Sequence, residues 1–194
     1  MSKANRFNEK FPESKRILER IQVIADELRT NFETGSSDNK KFLAVDDFYK
    51  KDNSLNILRE FAKRLNIKLA KNGNDFSGVY VFAEKKTNDE FNFLYTGISR
   101  TVIERINAHV NRTDYRTATW AYGIAKYEYR IDKNDEKAKI PEGERIKRIT
   151  NNQKEKLKKY YISFIHEPDN FMIHIAEGYV ACALESEWNS FRTH

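Results

Sequence analysis

Gly78-Val79-Tyr80-Val81-Phe82-Ala83 is followed by the polar run Glu84-Lys85-Lys86-Thr87-Asn88-Asp89-Glu90, and then by Phe91-Asn92-Phe93-Leu94-Tyr95-Thr96-Gly97-Ile98. The outer segments are rich in β-branched and aromatic residues and the middle one in turn formers, so the stretch predicts a β-hairpin. Gly97 closes the second strand, and Ser99 stands where the N-cap of a following helix belongs. That helix is expected to run to about Val110, with Val102, Ile103, Ile106 and Val110 as its apolar stripe.

Upstream, Ile17, Ile21, Ile24 and Leu28 recur at helical spacing and predict an amphipathic helix from Pro12 to about Phe32. A second helix is expected over Ser54–Asn66, with Leu55, Leu58, Phe61, Ala62 and Leu65 on one face; Lys41 to Tyr49 between them is ambiguous. Downstream, a largely buried helix is expected over Arg116–Tyr127, and an amphipathic one from Pro141 that uses Ile146, Ile149 and Leu157. Tyr160–His166 (YYISFIH) is apolar on both faces, as an interior strand is, and a last helix should span about Asn170 to Glu187. The expected class is α+β: a small antiparallel or mixed sheet, the hairpin plus a central strand, flanked by helices, with an N-terminal helical extension. The expected organisation is a helical region over residues 1–74 and a second domain over 75–194, with a basic insertion at about 130–159.

Composition narrows the function. Hydrophobic residues make up 39% and aromatics 13% of the 194 residues, enough for a buried core. No apolar run approaches the ~18 residues of a membrane span, and the N-terminus MSKANRFNEKF is too charged for a signal peptide. Cys182 is the single cysteine, which excludes an internal disulfide framework and a cysteine zinc cluster. These features predict a soluble cytoplasmic protein with no membrane partner. The net charge of +6 suits nucleic acid, although other classes share it.

Several side chains can carry chemistry. Arg105 and His109, four apart, share an edge of their helix near Arg112; a guanidinium beside an imidazole suits a phosphate, and a solvated basic edge is the alternative. Glu177 shares a stripe with Ile173, Val180 and Leu184, where a carboxylate needs a cation, hydrogen-bond donors or a proton. Either a hard metal such as Mg²⁺ or Mn²⁺ or a salt bridge would answer that need. Tyr80 and Tyr95 stand on opposite arms of the hairpin, as packing residues or as phenols that handle a water. Cys182 reads as a small buried hydrophobe, His166 and His174 lack metal-site spacing, and the basic helix from Ile146 to Lys159 is either a phosphate track or a solvated face.

Taken together, Gly78-Val79-Tyr80, Tyr95-Thr96-Gly97, and Ser99 leading into a helix with Arg105 and His109 resemble the core of the GIY-YIG nuclease family. Glu177 fills the place of that family's metal-holding glutamate, and Asn189 that of its closing asparagine. The likeness covers Gly78 to Asn189. Valine and threonine replace the middle isoleucines, and the segment from Asn111 to Tyr160 is larger than in a minimal module. The arginine–histidine pair with an asparagine twelve beyond the glutamate is most similar to the type II restriction endonucleases.

The resemblance implies a metal-dependent endonuclease that hydrolyses phosphodiesters in double-stranded DNA, restriction-like and sequence-specific, leaving 5′-phosphate ends. Alternatives are a repair or mobile-element nuclease acting on branched or damaged DNA, and a module that binds nucleic acid without cutting it. The implied cofactor is Mg²⁺ (or Mn²⁺), held by Glu177. Arg105 is implied to bind the scissile phosphate, and Tyr80, bonded to His109, to act as general base or to orient the attacking water. Tyr95 would position phosphate or water, and Asn189 would steady the site. Cutting both strands with one site per chain implies a homodimer.

Overall fold

In the computed structural model, residues 14–33, 40–70, 75–112, 120 and 142–189 are described. The hairpin forms as its sequence predicts: β2 (Gly78–Lys85) pairs antiparallel with β3 (Phe91–Ser99), Tyr80 facing Gly97 across the ladder. The turn is closed by Lys86 N–H donating to the Glu90 carbonyl at 2.7 Å, and Asp89 takes the left-handed conformation at φ 65°. On the other side of β2 lies β4 (Tyr160–His166), also antiparallel, and beyond it the two-residue β1 (Leu43–Ala44). The four strands therefore run in the order β1-β4-β2-β3 and are antiparallel throughout.

Alternation along β2 divides the core. Tyr80 and Phe82 face one layer, built from α2 (Ser54–Arg64), α3 (Val102–Asn111) and the end of α4 (Glu142–Leu157); Leu58, Phe61, Ile103, Ile106 and Leu157 pack there. Val79, Val81 and Ala83 face the other, where α1 (Ser14–Glu33) brings Ile21, Ile24 and Leu28, and α5 (Asn170–Ala183) brings Ala176 and Val180. Both apolar clusters draw residues from each side of position 74: β1 extends the sheet and α1 covers one of its faces. The ambiguous Lys41–Tyr49 segment resolves into β1 and a 3₁₀ turn over Val45–Asp47. The helix expected over Arg116–Tyr127 lies outside the described residues except for Trp120, which is buried. Among the described residues no helix is long and apolar enough to cross a membrane.

The start of α3 departs from the sequence reading. Ser99 ends β3, two residues before the N-cap position that Thr101 itself occupies, and its Oγ accepts from the amide of Thr101 at 3.0 Å. The first α3 amides are capped by Asp75, whose buried carboxylate accepts from Ile103 N–H at 2.9 Å and Glu104 N–H at 3.0 Å. The same oxygen that meets Ile103 accepts from Phe76 N–H at 2.7 Å, and Val102 N–H donates to the Phe76 carbonyl at 3.0 Å. Four free amides and a positive helix end attract a carboxylate from wherever the chain supplies it. Near its other end, α3 is fastened by Asn107 and Asn111: Ser54 Oγ donates to Asn107 Oδ1 at 2.8 Å, and Lys50 N–H to Asn111 Oδ1 at 2.6 Å.

Candidate active site

The central strand and the α3 helix meet at the Tyr80–His109 hydrogen bond. Tyr80 Oη and His109 Nε2 are 2.8 Å apart, and both side chains are 1% exposed. β2 aims Tyr80 at the helical layer, and the four-residue step from Arg105 carries His109 one turn further along α3. Burial, then the Arg105 and Lys154 charges, hold the imidazole down to about 3, so it is neutral at physiological pH. Its Nδ1 is buried with no hydrogen-bond partner among the described residues. A buried lone pair without a partner is less costly than a buried N–H without one, which favours the tautomer protonated at Nε2. His109 then donates to the Tyr80 oxygen, and the phenol proton of Tyr80 is left to its hydrogen bond with Tyr95.

Burial also pushes the Tyr80 phenol well above its ordinary value of 10, with Tyr95 and Glu177 adding to the rise and Arg105 opposing it. A phenol so placed is protonated at neutral pH. Of the two roles implied for Tyr80, orienting a water therefore suits the site better than accepting its proton. Tyr95 is raised too, first by burial and then by the Glu177 charge, while Arg105 and a hydrogen bond with Tyr80 act downward. Its ring lies 6.3 Å from that of Tyr80 and 5.6 Å from that of His109. The Trp120 ring stacks on it at 5.3 Å and 14°.

Glu177 lies on α5, and its charge acts on both tyrosines. It is half-buried, and burial raises its carboxyl, with the charges of His174 and then Arg105 acting the other way. Arg105 is the common element: its charge acts on Tyr80, Tyr95, His109 and Glu177. Five of the six expected residues are thus linked through Arg105, and Glu177 acts in addition on the two tyrosines.

Asn189 does something different. Its side chain spans the Thr96 backbone, taking the N–H on Oδ1 and giving Nδ2–H to the carbonyl, both at 2.7 Å. Before it, Glu187 N–H meets the Phe93 carbonyl at 3.2 Å and Trp188 N–H the Leu94 carbonyl at 2.9 Å. Residues 187–189 therefore cover the free edge of β3 and hold the strand that bears Tyr95. Gly78 is also explained: an added Cβ would collide with the Ile165 carbonyl of β4.

Other sequence readings are corrected. Cys182 is exposed, because its step along α5 points away from the sheet. Arg112 is exposed and lies 3.6 Å from Glu104, as half of an ion pair on the helix surface. On the basic helix, Lys158 is paired with Glu155, which Lys50 and Tyr49 also contact, so that stretch is partly neutralised. Asp75 and Trp120 escaped the sequence reading. No local pattern marks an acid that caps a helix 28 residues on, or an indole that stacks from another element.

Among the described residues no group of three or more His, Cys, Asp and Glu side chains gathers as a metal cage. One carboxylate is nevertheless a fitting donor for Mg²⁺, which keeps most of its water and binds through one or two carboxylates plus substrate phosphate. A cation would also offset the burial that raises Glu177. Comparison of the chain with family models, curated proteins and solved structures finds no match. The functional reading rests on the residues themselves.

Proposed function

We propose that the chain is a metal-dependent DNA endonuclease of the GIY-YIG type, restriction-like and sequence-specific, acting on duplex DNA as a homodimer in the cytoplasm. The observation that carries this reading is the bonded Tyr80–His109 pair, joined by Tyr95, Arg105 and Glu177 in one electrostatic unit. Two phenols, a guanidinium, a neutral imidazole and one acid make a site that binds an anion on one side and a cation on the other.

Arg105 grips two oxygens of the scissile phosphate and stabilises the charge that grows there in the transition state. His109, donating to Tyr80, fixes the phenol against Tyr95, and the tyrosine pair holds the attacking water in line. Tyr95 gives its hydroxyl to a phosphate oxygen or to the same water. Glu177 would hold Mg²⁺ or Mn²⁺, which when bound would supply charge neutralisation at the leaving oxygen. Attack forms a bond from the water oxygen to phosphorus and breaks the bond to the 3′ oxygen; the water gives its proton to bulk solvent, the 3′ oxygen takes one up to leave as a hydroxyl, and the 5′ side retains the phosphate. Asn189 acts at one remove by holding β3.

Incubation of the purified protein with plasmid and Mg²⁺ tests the reading. Discrete fragments ending in 5′-phosphate are expected, abolished by EDTA and by Glu177→Ala, and slowed about 10²–10³-fold by Arg105→Ala. Intact plasmid over a range of substrates and metals, or full activity in Glu177→Ala, removes it.

A further inference from the structure

Glu177 has a neighbour on its own helix that the reading so far leaves unused. His174 stands three residues before it on α5, one turn nearer the start of the helix. Residues so spaced carry their side chains on the same side, with Cβ atoms about 5–6 Å apart. A carboxylate and an imidazole three apart on one helix are an established way of presenting an oxygen and a nitrogen to a single ion. The two differ in burial, Glu177 half-buried and His174 exposed, so the pair slopes from the core to the solvent. Gly178 and Ala181, which follow on that side of α5, carry no bulk that would close over the pair.

The charge environment agrees with the spacing. Of the side chains whose charge acts on the Glu177 carboxyl, His174 is the strongest, ahead of Arg105. Among the described residues no hydrogen bond or ion pair ties the His174 ring to another group.

Resting on the nuclease reading above, we propose that His174 is a second protein ligand of the metal, paired with Glu177, and that it tunes the site toward Mn²⁺. Carboxylate and water oxygens alone suit Mg²⁺, whereas an added imidazole nitrogen favours Mn²⁺ and the later divalent ions. Two protein donors leave most of the coordination sphere to water and phosphate oxygens, as a site that must admit DNA requires.

Mn²⁺ binding to the whole chain, without DNA, tests the proposal independently of cleavage. Titration followed by electron paramagnetic resonance should give one site in the wild-type protein, with ¹⁴N coupling to the bound ion in the pulsed spectrum. His174→Ala should lose that coupling and weaken Mn²⁺ about tenfold or more, while Mg²⁺ affinity, read by competition, changes less than about twofold. Glu177→Gln should lose the site for both ions. A wild-type site without nitrogen coupling, or His174→Ala with unchanged Mn²⁺ affinity, overturns the role of His174 and leaves Glu177 as the lone ligand. Mn²⁺ bound as tightly in Glu177→Gln as in wild type overturns the metal assignment of the nuclease reading itself.

Discussion

Gly97 lies directly across the hairpin from Tyr80, and the space its missing side chain leaves is filled by the Tyr80 phenol. A Cβ built there would overlap the end of the ring, including the hydroxyl. The second glycine of the paired tripeptides is therefore a requirement of close approach between two side-chain positions, and it governs the same hydroxyl that bonds His109.

Gly97→Ala should consequently act on chemistry more than on folding. The ring must tilt away from the new methyl, which breaks the 2.8 Å bond to His109. A displacement near 1 Å at a reacting group costs about 10²-fold in rate. Cleavage kinetics should show kcat down by about that factor with KM little changed. An alanine variant as fast as wild type would show that the Tyr80 position does not matter.

The buried imidazole makes stability depend on pH with a definite sign. His109 has an ordinary value of 6.5 and is held at about 3 in the folded protein. Between those values the unfolded chain binds a proton that the folded one refuses, so stability falls as pH drops below about 6.5 and is unaffected by this group above it. The slope approaches about 1.4 kcal/mol per pH unit for a fully excluded proton. Melting temperatures from pH 4 to 8 should fall less steeply on the acid side in His109→Gln. Equal slopes in the two proteins would place the acid sensitivity elsewhere.

Asp75 secures the start of the helix that bears Arg105 and His109. Asp75→Ala removes three acceptances by one buried carboxylate, from Phe76, Ile103 and Glu104. A lost cap with buried amides left open costs about 1–3 kcal/mol. Asp75→Asn retains one acceptor oxygen and should lose less. Denaturant unfolding of the two variants distinguishes them, and a neutral Asp75→Ala would mean that water replaces the carboxylate at no cost.

Asn189 should be read out at Thr96, whose amide and carbonyl it spans. In Asn189→Ala the Thr96 amide loses its partner, and its hydrogen exchange should accelerate at least tenfold, with about 1–2 kcal/mol of stability lost. Asn189→Asp keeps the acceptor but sets a carboxylate oxygen against the Thr96 carbonyl, and it should cost more. Unchanged exchange at Thr96 in both variants would mean that the C-terminal segment does not close the β3 edge in solution.

The sequence alone determined the elements and marked the candidate site residues. Apolar periodicity is a local property, so the hairpin, the Tyr160–His166 strand and the helices on either side were legible to within a few residues. The α+β class followed from their order. Tyr80, Tyr95, Arg105, His109 and Glu177 were legible as candidates only through the order of the paired tripeptides, the following helix and the later acid, since each alone reads equally as packing, a solvated edge or a salt bridge. Tertiary structure decided what those residues are. Burial made His109 neutral and kept Tyr80 a protonated phenol, and desolvation depends on everything packed around a group, not on its neighbours in sequence. The same holds for Asp75, Trp120 and Asn189, whose partners lie on other elements, and for the two-residue β1, too short to show a period. A strand edge, a helix end and a buried nitrogen acquire their partners only when the chain closes on itself.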